Sequence, residues 1–394
     1  MKILILTPVF PYPPYAGSDI RNFNFIKYLS EKNEITLISF IESVEDEESI
    51  KKLSEYCSQI ELVKREKRSK LRRFIRLLFF RMPDLNYYYY SKEMKKKILQ
   101  LVELYNFDII QFESSRMGYY IADLEVNSLK ILDQHNVEFL LTKRGAGRLK
   151  LSLLEKFAWS MEWNKLRQYE LSLCKKFDRC LAVSKLDMKI LEELIPDLKI
   201  DIIPNGVDCE YFYPSEEDGE NLIFTGMMES TTNVDAVMFF CEEIFPLVLK
   251  IYPQMKFYIV GKKPPDIVTR LADGKNVFVT GWVKDVRPYI SNSIIGVVPL
   301  RIGSGTRIKI LEAMAMGKPV VTTALGCEGL EVTNGKDIII ADEPSLFANK
   351  VIQLIKDRDL RKQIGREARK LVKEKYDWKS IIERLNMIYE EMMM

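Results

Sequence analysis

The sequence lacks most of the residue patterns that would assign it to other classes of protein. It has one histidine and six cysteines among 394 residues, and no two cysteines have the C-x-x-C spacing of zinc or redox sites. No apolar run is long enough to cross a membrane, and Pro8 interrupts the run in MKILILTPVF before it reaches the length of a signal peptide. These absences predict a cytoplasmic protein with reduced cysteines, or one that binds the inner face of the cell membrane without crossing it.

Loops and side-chain sets typical of other enzymes are also missing. There is no G-x-G-x-x-G fingerprint, which disfavours a nicotinamide dehydrogenase, and no Walker-type loop. A histidine-based triad would have to use His135, the single histidine. The formal net charge of +3 is small, so nucleic acid is not an expected partner. We therefore expect no metal and no cofactor.

The chain does contain an alternation of short apolar runs and helical patterns over almost its whole length. Its length is typical of two domains, and its 47% hydrophobic content is that of a globular protein. Such alternation predicts an α/β fold of two Rossmann-like units, each with a doubly wound parallel sheet, that face a cleft. We expect domains at 1–207 and 208–376, with a linker in Asp208–Glu220 and a further helix in the tail, 377–394.

The expected strands fall into two series, one for each domain. The first series is Lys2–Thr7, Glu34–Phe40, Phe107–Phe112, Leu129–Asp133, Asp178–Val183 and Asp201–Pro204. The second is Leu222–Thr225, Lys256–Val260, Val277–Thr280, Ile294–Pro299, Pro319–Thr323 and Asp337–Ile340. Helical patterns include Asp235–Lys250 and Ser345–Lys356, and Ser184 is expected to cap a helix.

The segment Gly303–Thr323 combines a glycine-rich loop, a short helix and the start of a buried strand. Free N–H groups at the start of the helix, with cations nearby, suit a phosphate. A carboxylate in the same helix, Glu312, suits a vicinal diol. Phosphate and diol together are what a nucleotide-sugar presents. The cations are Arg301, Arg307 and Lys309, and the loop residues are Gly303, Ser304, Gly305 and Thr306.

Further candidates follow predicted strands, because ligands of doubly wound sheets bind beyond the carboxyl ends of the strands. Gly17 and Ser18 lie between the first strand and its helix, in either a ligand loop or a capped turn. His135 follows Leu129–Asp133 among polar side chains, where an imidazole can donate to a sugar hydroxyl. The remaining candidates are Asn205 in a Pro-Asn-Gly turn, Gly226 at a strand end, and Val283 in a loop suited to a nucleobase.

The tract Lys64–Arg81 is strongly basic. As a helix it would have apolar residues on one face and Arg72, Arg73 and Arg76 on another, which is typical of a helix on an anionic membrane surface. A helix packed on the core with a solvated basic face is the alternative. The tract therefore predicts either a membrane contact or a charged outer face.

Several segments together resemble the retaining glycosyltransferases of family 4, which have two Rossmann-like domains in the GT-B fold. The resemblance implies transfer of a sugar from a nucleotide-diphosphate sugar to a glycan or lipid-linked acceptor. It also implies independence of metal and a C-terminal helix that crosses back to the first domain. The most similar subgroup makes exopolysaccharides or other surface glycans. The matching segments are LDQHNVE, PNGVD, TGMMESTTNVDAVMFF, FYIVGKKPP, VTGWVKDVRPYI and PLRIGSGTRIKILEAMAMGKPVVTT.

Two positions depart from the family's pattern. Ser304 stands where the family has a glutamate that contacts the donor sugar, and Met227 opens a segment where Arg and Lys are frequent. We expect Arg307 and Lys309, with Arg301, to supply the missing positive charge. The resemblance implies that Glu312 holds the ribose and that the donor binds the second domain. Acceptor contacts are expected in the first domain, from Glu113, Tyr120, Asn136 and Glu138.

The resemblance further implies a front-face attack, in which the departing phosphate takes the acceptor's proton. His135 would then orient the donor sugar, while Arg307 and Lys309 stabilise the leaving group. Two alternatives remain open. One is a sugar-nucleotide epimerase of the same fold, which needs no acceptor. The other is a non-catalytic scaffold that binds a sugar-nucleotide, which Ser304 and Met227 would permit.

Overall fold

The chain divides into two compact units. Unit 1 comprises Met1–Pro204 and Ile382–Met394, and unit 2 comprises Asn205–Ile381. Ser304, Thr306 and nearly all of the tract Lys64–Arg81 lie outside the part of the chain that the structure describes. This computed structural model describes residues 1–15, 17–42, 47–65, 83–146, 153–214, 219–303, 305 and 307–394.

Unit 1 is built on a seven-stranded sheet of parallel strands in the order β3-β2-β1-β4-β5-β6-β7. Its central strands are short apolar runs that are buried on both faces, as parallel sheets covered by helices require. The strands are β1 (Lys2–Thr7), β2 (Glu34–Ile41), β3 (Gln59–Lys64), β4 (Ile109–Glu113), β5 (Leu129–Gln134), β6 (Arg179–Ala182) and β7 (Ile200–Ile202).

Unit 2 has a six-stranded parallel sheet in the order β10-β9-β8-β11-β12-β13. Phe240, Phe245, Phe257 and Phe347 pack together in its core. The strands are β8 (Asn221–Thr225), β9 (Phe257–Val260), β10 (Val277–Gly281), β11 (Ser293–Val298), β12 (Val320–Thr322) and β13 (Ile339–Ile340).

Helices connect the strands of both sheets, because parallel neighbours cannot be joined by tight turns. Those before β8 are Gly17–Leu29, Glu47–Ser54, Asp84–Tyr87, Lys92–Leu104, Ser114–Met117, Glu138–Ala146, Leu153–Cys174 and Lys185–Leu194, with a 3₁₀ helix at Gly118–Asp123. Those after β8 are Thr231–Phe239, Phe245–Leu249, Asp266–Thr269, Arg287–Ser291, Ile308–Ala315, Pro344–Lys356, Arg358–Lys375 and Trp378–Met393, with a π-helix at Phe240–Ile244.

The strand order creates a switch point in each sheet. The chain of unit 1 proceeds outward from β1 to β3 and then resumes on the other side of β1 with β4. Unit 2 repeats this pattern with β8 and β11. Loops that leave the carboxyl ends of such neighbouring strands diverge and leave a crevice, where doubly wound proteins bind ligands. The structure thus has one candidate crevice after β1 and β4, and another after β8 and β11.

The predicted class of two parallel α/β sheets is confirmed, while some elements differ from expectation. The strand Gln59–Lys64 was not predicted, because it lies at the sheet edge and alternates polar and apolar residues. The helix expected at Asp235–Lys250 begins earlier, at Thr231, and contains the π-helical turn Phe240–Ile244. Ser184 does cap its helix, since its hydroxyl accepts from the backbone N–H of Asp187 at 3.1 Å.

The last helix, Trp378–Met393, begins in unit 2, and its residues from Ile382 onward belong to unit 1. This is the return to the first domain that the family resemblance implies. Ile382, Leu385 and Ile388 of this helix are buried. None of the helices in the described ranges combines the length and the apolar character that a membrane span needs.

Candidate functional site

Unit 1 places a cluster of ionisable side chains at the carboxyl ends of β4 and β5. His135 directly follows β5, and its Nε2 lies 2.8 Å from Oε2 of Glu113, the last residue of β4. The same nitrogen lies 3.4 Å from Oδ2 of Asp133. Both carboxylates are fully buried, and the histidine side chain is 9% exposed. The single histidine is therefore held between two acidic groups at the switch point of the sheet.

Arg21 completes this cluster from the helix Gly17–Leu29. Its guanidinium forms a two-point ion pair with Asp133, with Nε to Oδ2 at 2.6 Å and Nη2 to Oδ1 at 2.7 Å. Nη1 donates to the carbonyl oxygen of Pro204 at 3.1 Å, and the ring of Phe25 lies 4.4 Å below the guanidinium. Planar arginine suits such a fork because two parallel donors meet two carboxylate oxygens. Arg21 therefore fixes Asp133, which in turn faces His135.

Burial disfavours the charged form of each acid, so neighbouring charges decide the pKa shifts. Burial acts upward on Asp133, but Arg21 outweighs it and holds the pKa of that carboxyl well below its usual range. Burial, and then the charge of Asp133, raises the pKa of Glu113 to about 7. Burial acts downward on His135, yet the hydrogen bonds and charges of both acids raise its pKa to about 9. His135 is therefore a cation at neutral pH.

The ligating atoms of Glu113, Asp133 and His135 all lie within 4.8 Å of one another, which is the spacing of a metal site. Metal ligation needs a neutral imidazole and carboxylates with free lone pairs. Here both oxygens of Asp133 accept from Arg21, and Oε1 of Glu113 accepts from Gln111, so both carboxylates already take part in hydrogen bonds.

The other residues predicted for acceptor binding occupy different environments. Tyr120 lies in the core, where its hydroxyl donates to the carbonyl of Tyr89 at 2.7 Å and accepts from the backbone N–H of Ser91 at 2.8 Å. Glu138 is buried and pairs with Arg116 at 3.1 Å. The structure thus separates Tyr120 from the crevice. Asn136, half-buried between His135 and the helix Glu138–Ala146, stays next to it.

The backbone after β4 is strained. Ser114 has φ of 71°, a left-handed conformation that costs a non-glycine residue about 1–2 kcal/mol. Such outliers collect at functional sites, where the surrounding structure enforces them. Gly17 and Ser18 begin the helix after β1 and are exposed. The carboxyl ends of β1 and β4 therefore combine an exposed helix start with a strained turn.

Unit 2 places a lysine at the carboxyl end of β8. Lys309 extends from the first turn of the helix Ile308–Ala315, and its Nζ donates to Oδ1 of Asn233 at 2.7 Å. Asn233 also donates from Nδ2 to the carbonyl of Met227 at 2.7 Å, which fixes its amide. The ammonium lies 3.9 Å from the centre of the Phe224 ring. Lys309 is thus aimed at the segment where the family pattern has its own cations.

Gly226 makes this approach possible. Its φ is 149°, and a Cβ there would lie 2.6 Å from Nζ of Lys309 and 2.9 Å from Nδ2 of Asn233. Gly303 has the same relation to the next cation, since its Cβ would lie 2.6 Å from Nη2 of Arg307. Both glycines leave the backbone close to a positive charge. This is the arrangement that lets main-chain N–H groups and side-chain cations contact one anion together.

Burial and neighbouring charges also shift pKa values in this part of unit 2. Burial, followed by the charge of Arg307, holds the pKa of Lys309 well below its usual range, although Glu312 acts in the opposite direction. Burial raises the pKa of Glu312 to about 7, against the effect of Lys309. Burial and the charge of Arg307 thus disfavour the ammonium form of Lys309, and a bound anion would favour it.

Arg301 is placed differently from the other two predicted cations. It forms a two-point ion pair with Asp235, with Nη2 to Oδ1 at 2.7 Å and Nε to Oδ2 at 3.1 Å. Its guanidinium also lies over the ring of Phe239 at 4.1 Å. These contacts hold Arg301 on the helix Thr231–Phe239. Lys309, which donates to the neutral amide of Asn233, is consequently a better candidate for a phosphate than Arg301.

Three further predicted donor residues, Val283, Gly305 and Asn205, lie in loops. Val283 is partly buried and packs near Val260 and Ile290, while its neighbour Trp282 is 54% exposed. Gly305 has φ of 81° in the loop before Arg307. Asn205 is buried at the start of unit 2. The loop Trp282–Val283 therefore offers an exposed aromatic ring beside a fixed backbone.

Sequence reasoning missed Arg21 and Asn233. Each acts through a partner far along the chain, 112 residues away for Arg21 and 76 for Asn233. A weak signal exists for Arg21, because it is a charged residue on a helix face that otherwise carries Phe25 and Leu29. Asn233 gives a similar signal as a polar residue in the first turn of the helix that follows β8.

Two family models match parts of the chain. A family model described as glycosyl transferases group 1 matches residues 219–357, and one described as glycosyltransferase family 4 matches residues 17–211. The chain is 22% identical over 397 residues to an uncharacterized 44.6 kDa protein in the cps region of Klebsiella pneumoniae, covering 96% of this chain and 97% of that protein.

A second relative has a described activity. The UDP-Gal:alpha-D-GlcNAc-diphosphoundecaprenol alpha-1,3-galactosyltransferase of Escherichia coli is 24% identical over 303 residues, which is 68% of this chain and 72% of that enzyme. Among solved structures, HepE of Anabaena in complex with UDP-glucose superposes with a TM-score of 0.71 at 15% identity, covering 99% of this chain and all (100%) of that one. The fold is therefore the two-domain GT-B fold, and the chain belongs to the family 4, group 1 glycosyltransferases.

Proposed function

We propose that this glycosyltransferase moves a hexose from a nucleotide-diphosphate sugar to a glycan or lipid-linked acceptor in surface polysaccharide synthesis, with retained anomeric configuration. Three similarities support the proposal: a relative from a cps region, a relative named for a diphosphoundecaprenol acceptor, and a fold neighbour that binds UDP-glucose. A UDP-sugar is therefore the first donor to test. The expected location is the cytoplasm, or the inner face of the cell membrane as a peripheral protein.

The observation that carries the proposal is the pair of cations beside the glycines of unit 2. Burial, followed by the charge of Arg307, lowers the pKa of Lys309, and the missing Cβ at Gly226 and Gly303 lets the backbone lie close to the two side chains. A diphosphate would contact both cations at once. The family's usual cations after the first strand of this domain are replaced here by Met227, so Lys309 supplies that charge from another helix.

These cations would act on the leaving group. When the bond between the anomeric carbon and the diphosphate breaks, negative charge grows on the phosphate oxygens. Preorganised donors aimed at that charge commonly supply the largest part of catalysis. The departing phosphate then takes the proton of the acceptor hydroxyl, so no protein base is required. His135, a cation in contact with Glu113, would donate to a hydroxyl of the sugar.

Other parts of the donor have candidate partners in unit 2. The carboxylate of Glu312 would accept from the two ribose hydroxyls, and the loop at Val283 would contact the base, with Trp282 available for stacking. Glu113, Asn136 and Glu138 remain the candidates for acceptor contacts. The basic tract Lys64–Arg81 remains the candidate for a membrane surface.

The test begins with thermal stabilisation by a panel of UDP-, GDP- and ADP-sugars. The donor that stabilises the protein most is then incubated with acceptors, and release of the nucleoside diphosphate and the anomeric configuration of the product are measured. We expect release that depends on the acceptor, with an α-linked product from an α-linked donor. An inverted product would contradict the retaining mechanism.

Two outcomes would favour the alternatives. Conversion of the donor to an isomeric sugar-nucleotide without acceptor would indicate an epimerase. Stabilisation without turnover on any acceptor would indicate a binding protein. Glu312→Ala serves as an internal check, because we expect weaker nucleotide binding, and affinity equal to wild type would remove the ribose role.

A further inference from the structure

We infer that Tyr389 and Gln111 are positioning residues for His135, so that the C-terminal helix Trp378–Met393 controls the orientation of the site histidine through Glu113. The role of His135 in sugar transfer rests on the proposed function. The chain of contacts from Tyr389 to the imidazole does not.

The contacts form a continuous path within unit 1. The hydroxyl of Tyr389 donates to Oε1 of Gln111 on β4. Nε2 of the same amide donates to Oε1 of Glu113 at 2.6 Å. The other oxygen of Glu113 contacts Nε2 of His135 at 2.8 Å. Each group in the path uses a different atom for each neighbour, so the orientation of one fixes the next.

The groups of this path are buried, so each polar atom in it needs a hydrogen-bond partner. Tyr389, Gln111 and Glu113 are each 0% exposed. On the helix face that carries Tyr389, Leu385 lies four residues before it and Asn386 three, and phenylalanine would fill the space of the tyrosine ring without needing a partner. A hydroxyl there is tolerated only because Gln111 accepts from it. The polar path therefore begins on a helix whose buried side chains are mostly apolar, with Asn386 as a further buried polar residue.

Charged and titratable groups approach the histidine from several elements. Among the described residues they are Asp133 on β5, Glu113 on β4, Arg21 on the helix Gly17–Leu29 and Tyr389 on the last helix. Arg21 fixes Asp133 on one side of the imidazole. The amide of Gln111 performs the corresponding task for Glu113 on the other side, by donating to its ionised form.

Removing the tyrosine hydroxyl has a predictable consequence. Gln111 would lose the donor to its oxygen, and its buried amide could then rotate to seek another partner. In the rotated state an oxygen, not an N–H group, would face Glu113. The ionised form of Glu113 would lose its donor, its pKa would rise, and the pKa of His135 would fall because its anionic partner is lost.

These pKa changes can be measured directly, because the sequence has one histidine and its NMR signal needs no assignment. In the full-length protein, the ring ¹H–¹³C signal of His135 is titrated by NMR for the wild type, Tyr389→Phe, Gln111→Met and Glu113→Gln. We expect the midpoint of His135 to fall by about 1 in Glu113→Gln, and by a smaller amount in the other two. The matched control is Asn386→Ala, which removes a different hydrogen bond of the same helix, from Asn33 at 2.9 Å.

The control should leave the midpoint of His135 unchanged. A midpoint equal to wild type in both folded Tyr389→Phe and folded Gln111→Met would overturn the inference, as would an equal shift in Asn386→Ala. Gln111→Met preserves side-chain volume, so it decides the matter if Tyr389→Phe is too unstable to titrate.

Turnover is the second readout. With an active donor and acceptor, Tyr389→Phe should lower kcat and shift the alkaline limb of its pH profile toward neutral pH, with KM for the acceptor nearly unchanged. A wild type that is inactive with every donor would refute the proposed function while leaving the titration valid. A shifted titration with an unshifted pH profile would overturn the positioning role in catalysis.

Discussion

The two sheets have the same strand order around their switch points, yet the charged side chains near these points are arranged differently. In unit 1, Arg21 pairs with Asp133, and His135 pairs with Glu113, so each charge has a fixed counterpart. In unit 2, Lys309 has a neutral amide as its hydrogen-bond partner, and burial, followed by the charge of Arg307, holds its pKa well below the usual range. Side-chain charges pair directly in the first crevice, whereas in the second a lysine is held by a neutral group.

This difference suggests a division of labour. Paired buried charges keep a geometry rigid but offer little net field, because each partner cancels the other. Adjacent cations raise the energy of the empty site and lower it again when an anion binds. We therefore expect changes in the unit 1 cluster to alter stability and the orientation of His135. Changes at Lys309 and Arg307 should alter ligand affinity with little cost to the fold.

The largest expected effect comes from breaking the ion pair of unit 1. Arg21→Met leaves Asp133 buried and without its fork of donors, which typically costs about 3–5 kcal/mol. Hydrogen exchange should accelerate for the amides of β1 and β5, while β8 and β11 retain their protection. Lys32→Met, an exposed change just after the same helix, is the control. If the amides of β1 exchange as slowly in Arg21→Met as in the wild type, the ion pair does not contribute the stability expected here.

The second effect concerns turnover. Arg307→Ala combined with Lys309→Ala should lower kcat by a factor on the order of 10²–10³, because donors to the leaving group are lost. The melting temperature of the ligand-free protein should stay the same or rise, since the repulsion between the two cations disappears. Steady-state kinetics and thermal unfolding measure both. An intact rate, or a rate that falls only in proportion to unfolded protein, would refute the leaving-group role.

A backbone change provides the third test. Gly226→Ala puts a Cβ 2.6 Å from Nζ of Lys309 at a residue with φ of 149°, so the lysine must move. We expect donor affinity to fall about tenfold and stability by about 1–3 kcal/mol. Gly274→Ala is the matched control, because its φ is 68° and no atom lies within 4 Å of the new Cβ. If both variants bind the donor equally, the clash with Lys309 has no functional weight.

The smallest effect is a proton count. Burial and Arg307 lower the pKa of Lys309, so in alkaline buffer a fraction of the free protein has a neutral lysine. A bound diphosphate favours the ammonium, and binding should therefore take up protons. Calorimetry in two buffers of different ionisation enthalpy measures this uptake. We expect the number of protons taken up to rise with pH and to fall to zero in Lys309→Met. Release of protons on binding to the wild type would contradict this prediction.

Most of the architecture could be predicted from the sequence, because buried parallel strands are visible there as short apolar runs. The edge strand Gln59–Lys64 escaped because only Val63 in it is fully buried, which leaves no apolar run. The helix after β8 begins earlier than predicted because its first residues, Thr231, Thr232 and Asn233, are polar, have low helix propensity and show no apolar period.

The candidate site could be predicted only in part. Lys309 and Arg307 were visible because they stand in one contiguous segment with a glycine-rich loop. The ion pair of Arg301 with Asp235 was not visible, since its partners lie 66 residues apart and meet only in the folded unit. The burial of Tyr120 was hidden for the same reason, because its hydroxyl bonds depend on how residues near Tyr89 pack. Whether such a residue is available to a ligand depends on contacts with residues far along the chain, which a local sequence pattern does not show.

The central claim is that Lys309 binds the diphosphate of the donor, and its most direct test is the affinity of Lys309→Met for UDP. If another nucleoside diphosphate stabilises the wild type more, that one replaces UDP. Lys318→Met is the matched control, because Lys318 follows the opposite end of the same helix and donates to the carbonyl of Ser291 at 2.6 Å. We expect calorimetry to give a Kd that is roughly 10–100-fold weaker for Lys309→Met, as the loss of a charged hydrogen bond of about 1.5–3 kcal/mol requires, and unchanged for Lys318→Met. Equal affinity in Lys309→Met and wild type would contradict the account.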